Sequence, residues 1–102
     1  STGHAHPVLR VGPLIYDAHH NRCALNDAPL ALTAHESRVL AYLMHHAGRV
    51  VSRGELGEHV YEQGIDPDSN AIDVVIGRIR RKLGIDLIRT ERGRGFRIEA
   101  AP

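Results

Sequence analysis

The sequence has no tryptophan, one phenylalanine and three tyrosines, so any core it builds must be aliphatic. Its single cysteine, Cys23, excludes an internal disulfide and lacks the paired ligand spacing of a zinc site. No apolar run nears the roughly 18 residues a membrane-spanning helix requires. The first residues, Ser1-Thr-Gly-His-Ala-His-Pro7, have neither the charged start nor the apolar stretch of a secretion signal. A cytoplasmic protein with no membrane partner is the expectation. At 102 residues, 42% hydrophobic and 25% charged, the chain has the length and composition of one globular domain. It does not begin with methionine, and residues 1–7 are polar, so they read as a linker following something upstream, with the domain over residues 8–100.

Enzyme signatures are also missing. Gly93-x-Gly95 lacks the third glycine and the strand-to-helix setting of a nucleotide fingerprint, and no serine lies in a nucleophile elbow. The eight histidines invite a metal reading, but His19-His20 and His45-His46 are adjacent pairs. Neighbours on a helix diverge by about 100°, whereas helical ligand pairs need an i, i+4 spacing. No catalytic residue, cofactor or metal ligand is expected.

What the sequence does have is a charge asymmetry. Residues 1–68 carry five Lys/Arg against eight Asp/Glu, and residues 69–102 carry eight against four, so a net charge of +1 conceals a basic last third. Such a footprint suits a nucleic-acid partner, although a basic surface alone is also common elsewhere.

Short β signals fill the first quarter, at Val8–Val11, Leu14–Tyr16, Arg22–Leu25 and Leu30–Leu32, separated by Gly12-Pro13, Asp17–Asn21 and Asn26-Asp27. Thr33-Ala-His-Glu36 has the form of a capping box, and Leu40, Leu43, Met44 and Ala47 then make one apolar stripe up to Gly48. Ser52-Arg-Gly-Glu55 repeats the device ahead of Leu56 and Val60, with Val50-Val51 a candidate short strand between the helices. After the loop Glu62–Asp68, Ser69 is a plausible N-cap for a helix to about residue 83, in which Ile72, Ile76, Ile79 and Leu83 share a narrow arc. Asn70, Val74, Gly77, Arg78 and Arg81 point the other way, with Asp73 and Arg80 on one flank and Lys82 on the other. Gly84 ends the helix. Residues 87–98 then read as a hairpin with Arg92 and Arg94 at a glycine-rich tip.

The fold class expected is α+β: a four-stranded antiparallel sheet, three helices and a C-terminal hairpin, the layout of a winged helix-turn-helix. An α-helix fits the DNA major groove, where arginine reads guanine edges and an apolar side chain such as the exposed Val74 meets a thymine methyl. A narrow minor groove attracts inserted arginine, which suits Arg92 or Arg94. Asn70, Arg80, Arg81, Lys82, Arg89 and Arg94 are the candidate phosphate contacts.

Residues 8–99 resemble the OmpR/PhoB-type winged-helix effector domain of bacterial two-component response regulators. The match is carried by Leu32-Thr-Ala-His-Glu36 with Val39-Leu40 and Leu43, by Gly48-Arg-Val-Val-Ser-Arg53 with Leu56, by Ser69-Asn-Ala-Ile-Asp-Val74 with Ile76, by Ile79-Arg-Arg-Lys-Leu83, and by Ile88-Arg-Thr90 with Arg92-Gly-Arg-Gly-Phe96. The resemblance implies transcription regulation by sequence-specific promoter binding, as two copies on direct repeats. By position it implies base contacts from Val74 and Arg78, phosphate contacts from Asn70 and Arg80, and backbone and minor-groove contacts from Thr90 and Arg92. The loop 62–69, with Glu62, Asp66 and Asp68, occupies the place of the segment that touches RNA polymerase. Three departures stand out. Val75 replaces a histidine that meets phosphate in many members, Gly77 replaces a larger or basic residue on the DNA-facing side, and the phosphorelay receiver domain is not in this chain. The competing reading is a winged helix used as a protein–protein interaction module, which would bind without regard to DNA sequence.

Overall fold

Four short strands open the computed structural model, which describes residues 8–61 and 70–100. These strands, β1 (Val8–Val11), β2 (Leu14–Asp17), β3 (Arg22–Leu25) and β4 (Ala28–Leu30), form an antiparallel meander in that spatial order. Because side chains alternate along a strand, Leu9, Tyr16, Cys23 and Leu30 fall in one cross-strand row and pack on the core. The pattern predicts the fourth strand over residues 30–32, but it forms two residues earlier. Asn26 (φ 51°) and Asp27 (φ 67°) make a two-residue turn that pairs Leu25 directly with Ala28.

Helix α1 (Ala34–His45) starts at the predicted capping box: Thr33 Oγ1 accepts from the Glu36 amide at 3.2 Å, and Glu36 Oε1 accepts from the Thr33 amide at 3.0 Å. Leu40, Leu43 and Met44 are buried as expected, but Ala47 is exposed because the helix ends at His45, with His46 as its cap. Gly48, two residues further on, takes the left-handed conformation and donates its amide to Ile98 O.

The second predicted capping box is only half made. At α2 (Arg53–Val60), Ser52 Oγ accepts from the Glu55 amide at 3.1 Å. The Glu55 carboxylate, however, is taken by the Tyr42 hydroxyl and by Arg49, which donates to it at 2.7 Å. Those bonds hold Glu55 down to about 2 and tie α1 to α2. Val51 makes a single antiparallel bridge to Phe96, not a strand of its own.

Helix α3 (Ala71–Leu83) buries Ile72, Ile76, Ile79 and Leu83, the arc its periodicity predicts, and ends at Gly84 in the left-handed conformation. Asn70 occupies the cap position without a side-chain capping bond, and the expected cap, Ser69, lies outside the described residues. Strands β5 (Ile88–Glu91) and β6 (Gly95–Ile98) close the chain as a hairpin. The one phenylalanine, Phe96, is 1% exposed and belongs to the same aliphatic core as α1, α3 and the inner face of the sheet.

Candidate nucleic-acid interface

The outward face of α3 and the hairpin tip present the basic third of the chain to solvent. On α3, Val74 is 40% exposed, and Asn70, Arg78 and Arg81 are exposed beside it. Leaving an apolar side chain uncovered among guanidinium groups costs hydration free energy that a partner surface would recover. Thr90, Arg92 and Arg94 are exposed on the hairpin, where the Arg94 amide donates to Glu91 O to close the turn. Among the described residues, the side chains of Arg78, Arg81, Arg92 and Arg94 make no hydrogen bond or ion pair, so their guanidinium donors are unclaimed at this surface.

The other predicted contacts have partners within the fold. Arg80 is half-buried and donates through Nε and Nη2 to Ile88 O, at 3.2 and 3.0 Å, and through Nη2 to Thr90 Oγ1 at 2.7 Å. It thereby fixes the hairpin against α3. Lys82 donates to Glu36 Oε1 at 2.5 Å and to Ala31 O at 2.8 Å, so its ammonium turns toward α1 instead of away from the fold. Its place on the opposite flank from Arg80 is as the helical wheel predicts; the buried carboxylate that claims it lies 46 residues away and leaves no mark in the local pattern. Val75, which stands where many relatives carry a phosphate-meeting histidine, is 6% exposed and packs in the core. Glu62, Asp66 and Asp68 lie outside the described residues.

One residue that matters here is not singled out by the sequence. Arg53, first in α2, forks onto Asp73 of α3 with contacts of 2.8 to 3.1 Å, and its Cζ stands 4.7 Å from the Phe96 ring centre. The Arg80 guanidinium approaches the same ring at 5.8 Å. The Arg53 fork raises no flag in the sequence because its partner is on another helix. Its effect is electrostatic as well as mechanical, since Arg53 holds the Asp73 carboxyl below the usual range despite the opposing effect of burial. The charge of an acidic residue on the otherwise basic helix α3 is thus compensated within the fold.

Gly77 sits on the exposed side of α3 with nothing within 4 Å of where a Cβ would stand. The fold therefore does not require glycine there. Gly77→Ala is expected to raise stability by about 1 kcal/mol, the helix-propensity difference, as read by urea denaturation. A destabilised variant would mean that the backbone at this point is not the regular helix described.

Comparison with known proteins places this arrangement. A family model described as "Transcriptional regulatory protein, C terminal" matches residues 27–98. The two-component response regulator PhoP of Pseudomonas aeruginosa is 39% identical over 100 residues, covering 94% of this chain and 44% of that protein. The chain thus spans less than half the length of such curated relatives. Among solved structures, the DNA-binding domain of CpxR from E. coli superposes with a TM-score of 0.85 at 34% identity, covering 94% of this chain and 99% of that one. The RstA DNA-binding domain of Klebsiella pneumoniae, solved in complex with the RstA box, gives a TM-score of 0.84 at 26% identity, with 92% and 98% covered.

Proposed function

This chain belongs to the family of C-terminal domains of transcriptional regulatory proteins, the OmpR/PhoB winged-helix group, and on that footing we propose that it binds double-stranded DNA sequence-specifically to regulate transcription. The observation that carries the reading is the exposed face of α3, where uncovered Val74 stands beside the unpaired Arg78 and Arg81. In this reading α3 enters the major groove, with Val74 and Arg78 on base edges and Gly77 allowing close approach. Asn70, Arg80, Arg81, Arg89, Thr90 and Arg94 hold phosphates, and Arg92 reaches the minor groove. Lys82 is left out, because its ammonium is held by Glu36 and Ala31. A receiver domain upstream, a second copy on a direct repeat and RNA polymerase at the loop 62–69 complete the set of partners proposed. No catalytic or cofactor role is assigned.

Selection of bound sequences from a random duplex pool at physiological salt tests this. The expected outcome is a direct repeat with half-sites about one helical turn apart. Arg78→Ala should then cost about 1 to 3 kcal/mol of discrimination at one base position while sparing the others. Failure to enrich any motif would overturn sequence-specific reading in favour of a protein-docking surface.

A further inference from the structure

The last two turns of α3 carry two cations four residues apart, Arg78 and Lys82, and a single buried carboxylate acts on both. Glu36 is 2% exposed, and its Oε1 accepts from the Thr33 amide at 3.0 Å and from Lys82 Nζ at 2.5 Å. Burial alone would push this carboxyl up. The bonds from Lys82 and Thr33, with the charges of Lys82 and Arg78, hold it down instead. The Arg78 side chain itself makes no hydrogen bond or ion pair among the described residues. The carboxylate therefore has one cation seated on it and a second near enough to feel it.

A buried carboxylate stripped of its partner is strongly destabilising, so the structure recruits whatever cation can reach it. Arg78, one turn before Lys82 on the same side of the helix, has the length and the charge to do so. We propose that Lys82 is a positioning residue for Arg78: by occupying Glu36 it keeps the Arg78 guanidinium out of the crevice between α1 and α3 and free to face DNA. The proposal rests on the DNA-reading role of α3. It differs from a phosphate-contact role for Lys82 in what the residue does for specificity. A phosphate contact adds affinity to every sequence equally, whereas a positioning residue acts on the base that Arg78 reads.

The test is the same random-duplex selection run on the wild type, Arg78→Ala, Lys82→Met and the double variant Glu36→Gln with Lys82→Met, with thermal melts to establish folding. Lys82→Met should lose selectivity at the same base position as Arg78→Ala, by roughly 5- to 150-fold. The double variant should recover it, because the glutamine keeps the acceptor for the Thr33 amide but no longer attracts Arg78. That variant has no unpaired buried charge, so it remains informative even if Lys82→Met alone is too unstable to measure. On the duplex that the wild type selects, the salt slope of Lys82→Met should equal that of the wild type. Retained discrimination in Lys82→Met, or loss in the double variant, would overturn the proposal. So would a uniform loss of affinity with a slope shallower by about 0.9, which marks a lost phosphate contact. A wild type that selects no motif would instead bring down the DNA-reading role itself.

Discussion

Gly95→Ala is expected to cost at least about 3 kcal/mol of folding stability, a large share of what a domain of this size has to spare. Gly95 adopts φ +145°, a region that L-residues rarely enter, and a Cβ built there would stand 2.0 Å from Val51 O, 2.7 Å from Val51 C and 2.8 Å from Ser52 Cα. Every one of those neighbours is backbone, so no rotamer change relieves the clash. The approach is close because Val51 and Phe96 exchange both amide hydrogen bonds, at 2.7 and 2.9 Å, which press β6 against the segment leading into α2. Relief would require breaking that pair and lifting Phe96 out of the core, where its ring packs beneath Arg53 and Arg80.

Gly93 supplies the internal control. It also has a positive φ, +72°, but nothing lies within 4 Å of its absent Cβ, so Gly93→Ala should cost only the left-handed penalty of roughly 1 to 2 kcal/mol. Urea denaturation of the two variants side by side reads the difference. Equal midpoints would mean that the close contact at Val51 is not what fixes the hairpin. A folded Gly95→Ala with a loosened hairpin would in turn be expected to lose the Arg80 to Thr90 bond, since Arg80 is held on α3 while Thr90 moves with β5.

The elements legible in the sequence are those whose signal lies within one turn of helix or one hairpin. Ile72, Ile76, Ile79 and Leu83 identify the buried side of α3, and the exposed side with Val74, Arg78 and Arg81 follows by subtraction. Thr33 and Glu36 mark the start of α1 by local chemistry alone. The same tetrapeptide logic half fails at Ser52 and Glu55. There the carboxylate has competitors, Tyr42 and Arg49, that come from outside the motif. Competition of this kind also explains what stayed hidden at the interface. Arg80, Lys82 and Asp73 read alike as surface charges on α3, but each is claimed by a partner from a different element: Thr90 with Ile88 O, Glu36 with Ala31 O, and Arg53. A helical wheel assigns a residue to a flank and cannot tell what waits there. Val75, which replaces a histidine that meets phosphate in many relatives, packs in the core and offers no such contact.

Binding to a single half-site should weaken steeply with salt, and the slope distinguishes the basic residues that meet DNA from those that hold the fold together. If Arg80, Arg81, Arg89 and Arg94 each neutralise one phosphate, the logarithm of affinity should fall by about 3.6 per tenfold rise in salt, at about 0.9 for each phosphate. A fourfold increase in salt would then lower affinity roughly 150-fold. Counting Lys82 as a fifth contact would steepen the slope to about 4.5, so its capture by Glu36 makes a numerical difference. Arg53 and Arg97 should add nothing. Arg53 is committed to Asp73, and Arg97 pairs with Glu91 at 2.7 Å and lies 3.6 Å from Glu99. Arg80 is the sensitive member of the set, because its present partners are the neutral Ile88 carbonyl and Thr90 hydroxyl, which leave its full charge for a phosphate. Arg80→Gln should therefore flatten the slope by about 0.9, whereas Arg97→Gln should leave it unchanged. A slope near zero in the wild type would mean that the exposed arginines of α3 and the hairpin face something other than nucleic acid.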